Sequence, residues 1–150
     1  MIINTDAIVL KTFSYGETSL ISRCFTKDKG KISFIIKGAK SKKNLISPYF
    51  QPLSFINIIY KENEKRELQI VSKVSFVQIW TQIPLSLRKM TLSQSILEIS
   101  DFTLEKNDPY PSLFNILIKT LQIFESGDID ENILFWNYEI KILSEMGFMI

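Results

Sequence analysis

The sequence contains no histidine, which removes the commonest general base and the commonest metal ligand together. Its one cysteine, Cys24, leaves no partner for an internal disulfide and no Cys-x2-Cys pair for zinc. With no Asn-x-Ser/Thr sequon either, the expected compartment is the cytoplasm. Glycine and proline number only five each, which excludes collagen-like and low-complexity chains. No apolar run approaches the ~18 residues of a membrane span, and Phe55–Tyr60 is typical of the runs that exist. Residues 1–10 lack a basic n-region and carry Asp6 inside the apolar stretch, unlike a signal peptide. What is present, 150 residues with 45% apolar and 12% aromatic content, suffices for one domain or two small ones around a packed core.

The absences also dispose of most enzyme classes. Without histidine there is no Ser-His-Asp triad, and Cys24 lacks its usual activator. Cys24 sits in an apolar stretch beside Phe25, where a packed thiol is the simpler account. Gly30-Lys31 is followed by Ile32, and Phe25 stands where a phosphate loop needs its first glycine. Asp128, Asp130 and Glu131 are explained by capping of a helix start before metal binding is needed. No enzyme activity and no cofactor are expected.

Charge is distributed unevenly. Residues 1–78 hold 13 Lys+Arg against 6 Asp+Glu, a net +7, and residues 79–150 hold 5 against 10, a net −5. This asymmetry points to a polyanion-binding half and an acidic half with another task. The basic excess peaks at Lys27, Lys29, Lys31, Lys37, Lys40, Lys42 and Lys43, with Asp28 the only acid among residues 27–43. A solvated surface and a nucleic-acid contact both remain open for such a run.

The first half reads as strands over residues 6–13, 18–26, 31–37, 53–61 and 67–77, separated by turn signals at 14–16, 28–30 and 63–65. In the third, Ile32, Phe34 and Ile36 alternate with Lys31, Ser33 and Lys37, the pattern of a sheet buried on one face. The stretch from Gly38 to Pro52 is long enough to be a functional or mobile loop. The second half reads as three helices. Pro84 opens one reaching about Phe102, Ser112–Ser126 forms the next, and Asp128 with Glu131 makes a capping box for a last helix ending at Gly147. The expected class is α+β in two small lobes, with residues 1–80 in the layout of a five-stranded OB-fold barrel for nucleic acid and residues 81–150 an α-helical lobe.

Particular words in the sequence narrow this further. Ala7–Leu10 forms an AIVL strand, Gly16-Glu17 turns into Ser19–Ile21, and Phe25-Thr26 precedes the Gly30-Lys31 turn and the segment Lys37–Lys40. Gln51-Pro52-Leu53 returns the chain to the next strand, and Leu143–Phe148 reads LSEMGF. In this order and spacing, across nearly the whole chain, the sequence resembles the RecO recombination mediators of bacteria.

The resemblance implies a cytoplasmic DNA-repair protein that binds single- and double-stranded DNA and anneals complementary strands. It implies work with RecR, and in many bacteria RecF, to load RecA onto DNA covered by single-strand-binding protein. Lys37, Lys40, Lys42 and Lys43 are the expected main contact, with Lys27, Lys29, Lys31, Lys11 and Arg23 widening the patch. Tyr15 is open to either base stacking or a plain turn role, whereas core packing accounts for Phe25 and Phe34 before stacking does. Arg88 and Lys89 read as a solvated first helical turn. Two other readings use the same residues, an RNA-binding OB module and a protein-interaction adaptor. Family members run on beyond the Gly-Phe segment, often through a four-cysteine zinc module, so the stop at Ile150 reads as a truncated frame or a fragment.

The last helix carries two apolar stripes. Ile133, Trp136, Ile140 and Leu143 form one, and Phe135, Tyr138, Ile142 and Met146 the other. Cover is expected on most sides, more than one strand lobe and two shorter helices supply, so the 150-residue chain is expected to self-associate or aggregate through residues 133–150, with residues 1–80 the better-ordered unit.

Overall fold

A computed structural model describes residues 1–41 and 45–148. Five strands, β1 (Ile2–Tyr15), β2 (Ser19–Thr26), β3 (Gly30–Ile36), β4 (Phe55–Lys61) and β5 (Leu68–Gln78), close into a barrel in the order β1-β2-β3-β5-β4. Closure depends on β1, which is long enough to pair antiparallel with β4 over Ile2–Ile8 and with β2 over Ala7–Tyr15. Its register with β2 shifts between Val9 and Lys11, and such a shift bends the strand from one sheet direction into the other. The segment after Pro52 fills the bend: Val9 N–H donates to the Ser54 carbonyl and Leu53 N–H to the Val9 carbonyl, each at 3.0 Å. A short parallel pairing of β3 with β5, from Ser33–Leu68 to Ile35–Ile70, seals the circle. This is the expected five-stranded barrel, and the sequence-derived strands match it to within a few residues, β1 starting earlier than the alternation indicated.

Alternation along the strands serves two cores. Val9, Cys24, Ile32, Phe34, Ile36, Ile56, Ile58 and Tyr60 fill the barrel, with the Phe34 and Tyr60 rings edge to face at 5.1 Å. Ile8, Leu10, Phe25, Leu53 and Phe55 belong instead to a core shared with the helices. Phe25 is buried as expected, but its partner lies outside the barrel, the ring of Phe114 at 5.3 Å.

The helices are α1 (Leu87–Thr103), α2 (Pro111–Ser126) and α3 (Glu131–Glu145). Pro84 lies in a short 3₁₀ turn, Ile83–Leu85, rather than opening α1, whose cap is the Ser86 hydroxyl accepting from Lys89 N–H. The cap of α3 is Asp130, which accepts from Asn132 N–H at 2.9 Å, and not Asp128. Gly127 ends α2 in the left-handed conformation that glycine adopts without a Cβ clash. Leu113, Leu117, Leu121 and Phe124 of α2 are buried, and so are Leu134, Tyr138 and Ile142 of α3. The other expected stripe of α3, Ile133, Trp136, Ile140 and Leu143, is exposed. So are Leu85, Leu87 and Phe102 at the two ends of the apolar pattern around α1.

Barrel and helices are tied at the start of β3. Gly30 has φ +75°, and a Cβ there would collide with the Asp108 backbone, so the α1–α2 connection lies directly on the β2–β3 hairpin. Asn107 N–H donates to the Lys31 carbonyl at 3.0 Å. On the far side, the Glu125 carboxylate accepts from the N–H groups of Thr81, Gln82 and Ile83 and from the Thr81 hydroxyl, at 2.7–3.0 Å. The long loop after β3 is also anchored, since Ala39 and Phe50 are buried in the barrel core and Tyr49 stacks on Phe76.

Candidate nucleic-acid interface

The helices cover one sector of the barrel's outer surface and leave another open. In the open sector, Lys11, Phe13 and Tyr15 alternate along β1, and all three are exposed. Phe13 and Tyr15 keep 40% and 53% of their surface in water. Arg23 on β2 stands opposite Lys11, and Ser33 on β3 stands opposite Arg23, so one outer face runs across three strands. Phe13 carries a signal available to sequence reasoning, its period-two spacing between Lys11 and Tyr15.

The predicted lysines divide between the two ends of this face. Lys37 and Lys40 are exposed at the C-terminal end of β3, where Lys40 N–H donates to the Thr18 carbonyl of the β1–β2 turn near Tyr15. Lys27 and Lys29 lie in the β2–β3 turn at the opposite end, Lys29 paired with Glu62 at 3.5 Å. Seven residues of β3 separate the two groups, roughly 23 Å at ~3.3 Å per residue. Lys42 and Lys43 lie outside the described residues.

Between the ends, Arg23 and Lys31 are engaged by Asp101 of α1. Arg23 grips the carboxylate with both arms of its fork, Nε to Oδ1 at 2.9 Å and a terminal nitrogen to Oδ2 at 2.7 Å. The Lys31 ammonium donates to the Asp101 main-chain carbonyl at 2.6 Å and lies 3.8 Å from its carboxylate. Burial lowers the Lys31 pKa, the Arg23 and Lys106 charges lower it further, and Asp101 works the other way. At 9% exposure Lys31 is a joint between barrel and helices. Its ammonium is turned onto α1, and the α1–α2 connection covers the face it points from.

Beside this joint a cleft of about 750 Å³ opens between β1 and α1, with Lys11, Arg23 and Lys31 on the barrel wall and Gln94, Glu98 and Phe102 on the helix wall. Lys106 lines it too, and also a smaller groove of about 210 Å³ that continues along Phe13, Arg23 and Ser33. Phe102 and Lys106 were not singled out from the sequence, because only the docking of α1 on the barrel brings them to this face.

The face offers charge and aromatic surface and little that is reactive. Burial pushes the Cys24 thiol up to about 12, against a smaller opposing effect of the Ser22 hydroxyl, so it stays protonated. Among the described residues no group of three acidic or thiol side chains could hold a metal ion. No helix is long and apolar enough to cross a membrane among those residues.

Residues 1–80 match the family model "Recombination protein O N terminal" and residues 84–150 match "Recombination protein O C terminal". Similar proteins include the DNA repair protein RecO of Salinibacter ruber, 33% identical over 146 residues, which are 97% of this chain and 56% of the relative. The DNA repair protein RecO of Streptococcus gordonii is 32% identical over 145 residues, 97% of this chain and 54% of its own. That of Bacillus pumilus is 29% identical over 147 residues, 98% and 56%. The chain spans a little over half the length of these curated relatives.

Proposed function

The chain belongs to the RecO family of DNA repair proteins, and from that premise we propose that it is a non-enzymatic DNA-binding protein of recombinational repair. It binds single- and double-stranded DNA in the bacterial cytoplasm, anneals complementary strands, and helps load RecA together with RecR and RecF on DNA coated with single-strand-binding protein. Residues 1–80 are its nucleic-acid-binding unit and residues 81–150 part of its helical unit.

The observation that carries this reading is the exposed face of Lys11, Phe13 and Tyr15, ending at Lys37 and Lys40. Annealing makes and breaks no covalent bond. It requires that phosphate repulsion between two strands be suppressed while their bases stay available for pairing. Lysine ammonium groups neutralise phosphate as mobile point charges without reading sequence. Tyr15 and Phe13 give bases a π-face that accepts any of the four. Lys37, Lys40, Lys42 and Lys43 form the main contact, and the ~23 Å of face along β3 from Lys37 spans about seven phosphates along one duplex strand.

Titration of a labelled oligonucleotide against salt is the test. With about four to six phosphates neutralised, log K falls against log salt with a slope of roughly −3 to −4 on single strands. Replacing Lys37, Lys40, Lys42 and Lys43 by Ala flattens that slope and leaves the melting temperature unchanged. A folded quadruple variant with the wild-type slope would remove these lysines from the contact. RNA of equal length competing better than DNA would favour an RNA-binding module instead.

A further inference from the structure

We propose that the cleft between β1 and α1 is a subsite for one unpaired nucleotide of a single strand, with its phosphate on Lys11 and Lys106 and its base stacked on Phe102. This rests on the DNA-binding reading and adds to it a place where single strand is distinguished from duplex.

Phe102 is the starting point. It ends the apolar pattern of α1, yet 91% of its surface is exposed and it packs into neither hydrophobic core. It stands at the mouth of a cleft whose volume of about 750 Å³ lies in the range of small-ligand sites. Gln94, Glu98 and Phe102 follow one another at four-residue intervals, so they form a single exposed ridge of α1 along the cleft.

The two walls differ in charge, and that difference orients a nucleotide. On the barrel wall Arg23 and Lys31 are matched by Asp101, whereas Lys11 and Lys106 make no ion pair among the described residues. Phosphate is drawn to that wall and repelled by Glu98 across the cleft. The base is thereby turned toward α1, where Phe102 offers a ring face, Gln94 an amide and Glu98 an acceptor for an exocyclic amine. The smaller groove shares Arg23, Lys31 and Lys106 with the cleft and runs on beneath Phe13, so a strand lying along the outer face continues into it. A base paired in a duplex cannot turn toward α1 without leaving its stack.

The experiment compares Phe102→Ala and Phe102→Trp with wild type in the full chain, using a single-stranded 20-mer and the duplex of the same length at one salt concentration. Phe102 is so exposed that its loss leaves folding intact, which a thermal melt verifies. Phe102→Ala weakens single-strand binding by about tenfold, the worth of one base–aromatic stack. Duplex binding stays within about twofold, and the salt slope is unchanged because no charge is lost. Phe102→Trp restores single-strand binding. Wild-type affinity for the single strand in Phe102→Ala, or equal losses for both DNAs, would overturn the cleft assignment and leave the function standing. A wild-type chain that binds neither DNA would overturn the function and the cleft with it.

Discussion

Asp101→Asn separates the structural use of the basic face from its proposed use on DNA, because the two respond in opposite directions. The substitution keeps the side-chain shape and removes the charge that holds Arg23 in a two-armed grip and lies 3.8 Å from the Lys31 ammonium. Hydrogen bonds to charged groups contribute about 1.5–3 kcal/mol each when well formed. Arg23 and Asp101 keep a fifth to a quarter of their side-chain surface in water, which places the pair toward the weaker end. Asparagine retains one acceptor, and the Lys31 bond to the main-chain carbonyl survives. A net loss of about 2 kcal/mol follows, or about 4–8 °C in melting temperature for a chain of this size. DNA binding moves the other way. Each cation released to a phosphate adds about 0.7 to the single-strand salt slope, so freeing Arg23 steepens it by about 0.7 and tightens binding at low salt, while Lys31 stays on the main-chain carbonyl. Differential scanning calorimetry and fluorescence anisotropy give the two numbers. An unchanged melting temperature would show that the joint holds nothing together, and an unchanged slope that Arg23 does not reach DNA.

Glu125→Gln loosens the segment between barrel and helices and costs about 1–2 kcal/mol, read by chemical denaturation. Desolvation acts to raise the Glu125 pKa, but the hydrogen bonds from Thr81, Ile83 and Gln82 outweigh it and hold the carboxyl below its ordinary range. Its contribution is thus complete above the unfolded-state value and lost as pH falls through the lower folded one, so wild type and variant converge in acid; a gap that persists there refutes the ion's role. Annealing proceeds in EDTA as well as without it, given a chain with one cysteine and no histidine; activity lost in EDTA and restored by zinc would reveal a missed site. Trp136 is 59% exposed on an apolar stripe of α3 and Trp80 only 9% exposed, so a quencher reaches mainly Trp136 in dilute solution. Self-association through that stripe lowers the quenchable fraction as concentration rises, and sedimentation of a monomer at every concentration would rule it out.

The fold was legible where one physical signal decided it. Alternation in β3 put Ile32, Phe34 and Ile36 into the barrel without help from tertiary structure. The second helix ends at Ser126 as its pattern indicated, because Gly127 after it takes the left-handed conformation. Legibility failed where two partners competed for one residue. Asp128 and Asp130 are both competent caps, and the turn after Gly127 delivers the second to Asn132 N–H. Strand β2 is buried on both faces over much of its length, inward at Cys24 and outward at Phe25, and a one-sided alternation cannot express that. What the sequence could not express about the candidate site is its spread: seven lysines fall within seventeen residues, yet the hairpin sends Lys27 and Lys29 in its turn and Lys37 at its strand end to opposite ends of the barrel.

The charge asymmetry of the chain acquires a meaning from how barrel and helices meet. A barrel with a basic surface all round would attract DNA from every direction and give annealing no preferred face. Helices cover the sector of Ile8, Leu10, Phe25 and Phe55, and their acidic residues Glu98 and Asp101 stand along the border with the open sector. Charges of opposite sign on the two sides of that border set up a field directed across it, strongest within a Debye length of about 8 Å. Under the proposed function, the phosphates of a strand approaching the border are repelled from α1 and held against the side of Lys11, which leaves its bases free to turn toward α1. The two acids divide the work. Asp101, bonded to Arg23 and Lys31, fastens the helices in place, and the exposed charge of Glu98 confines the phosphates to the face that remains.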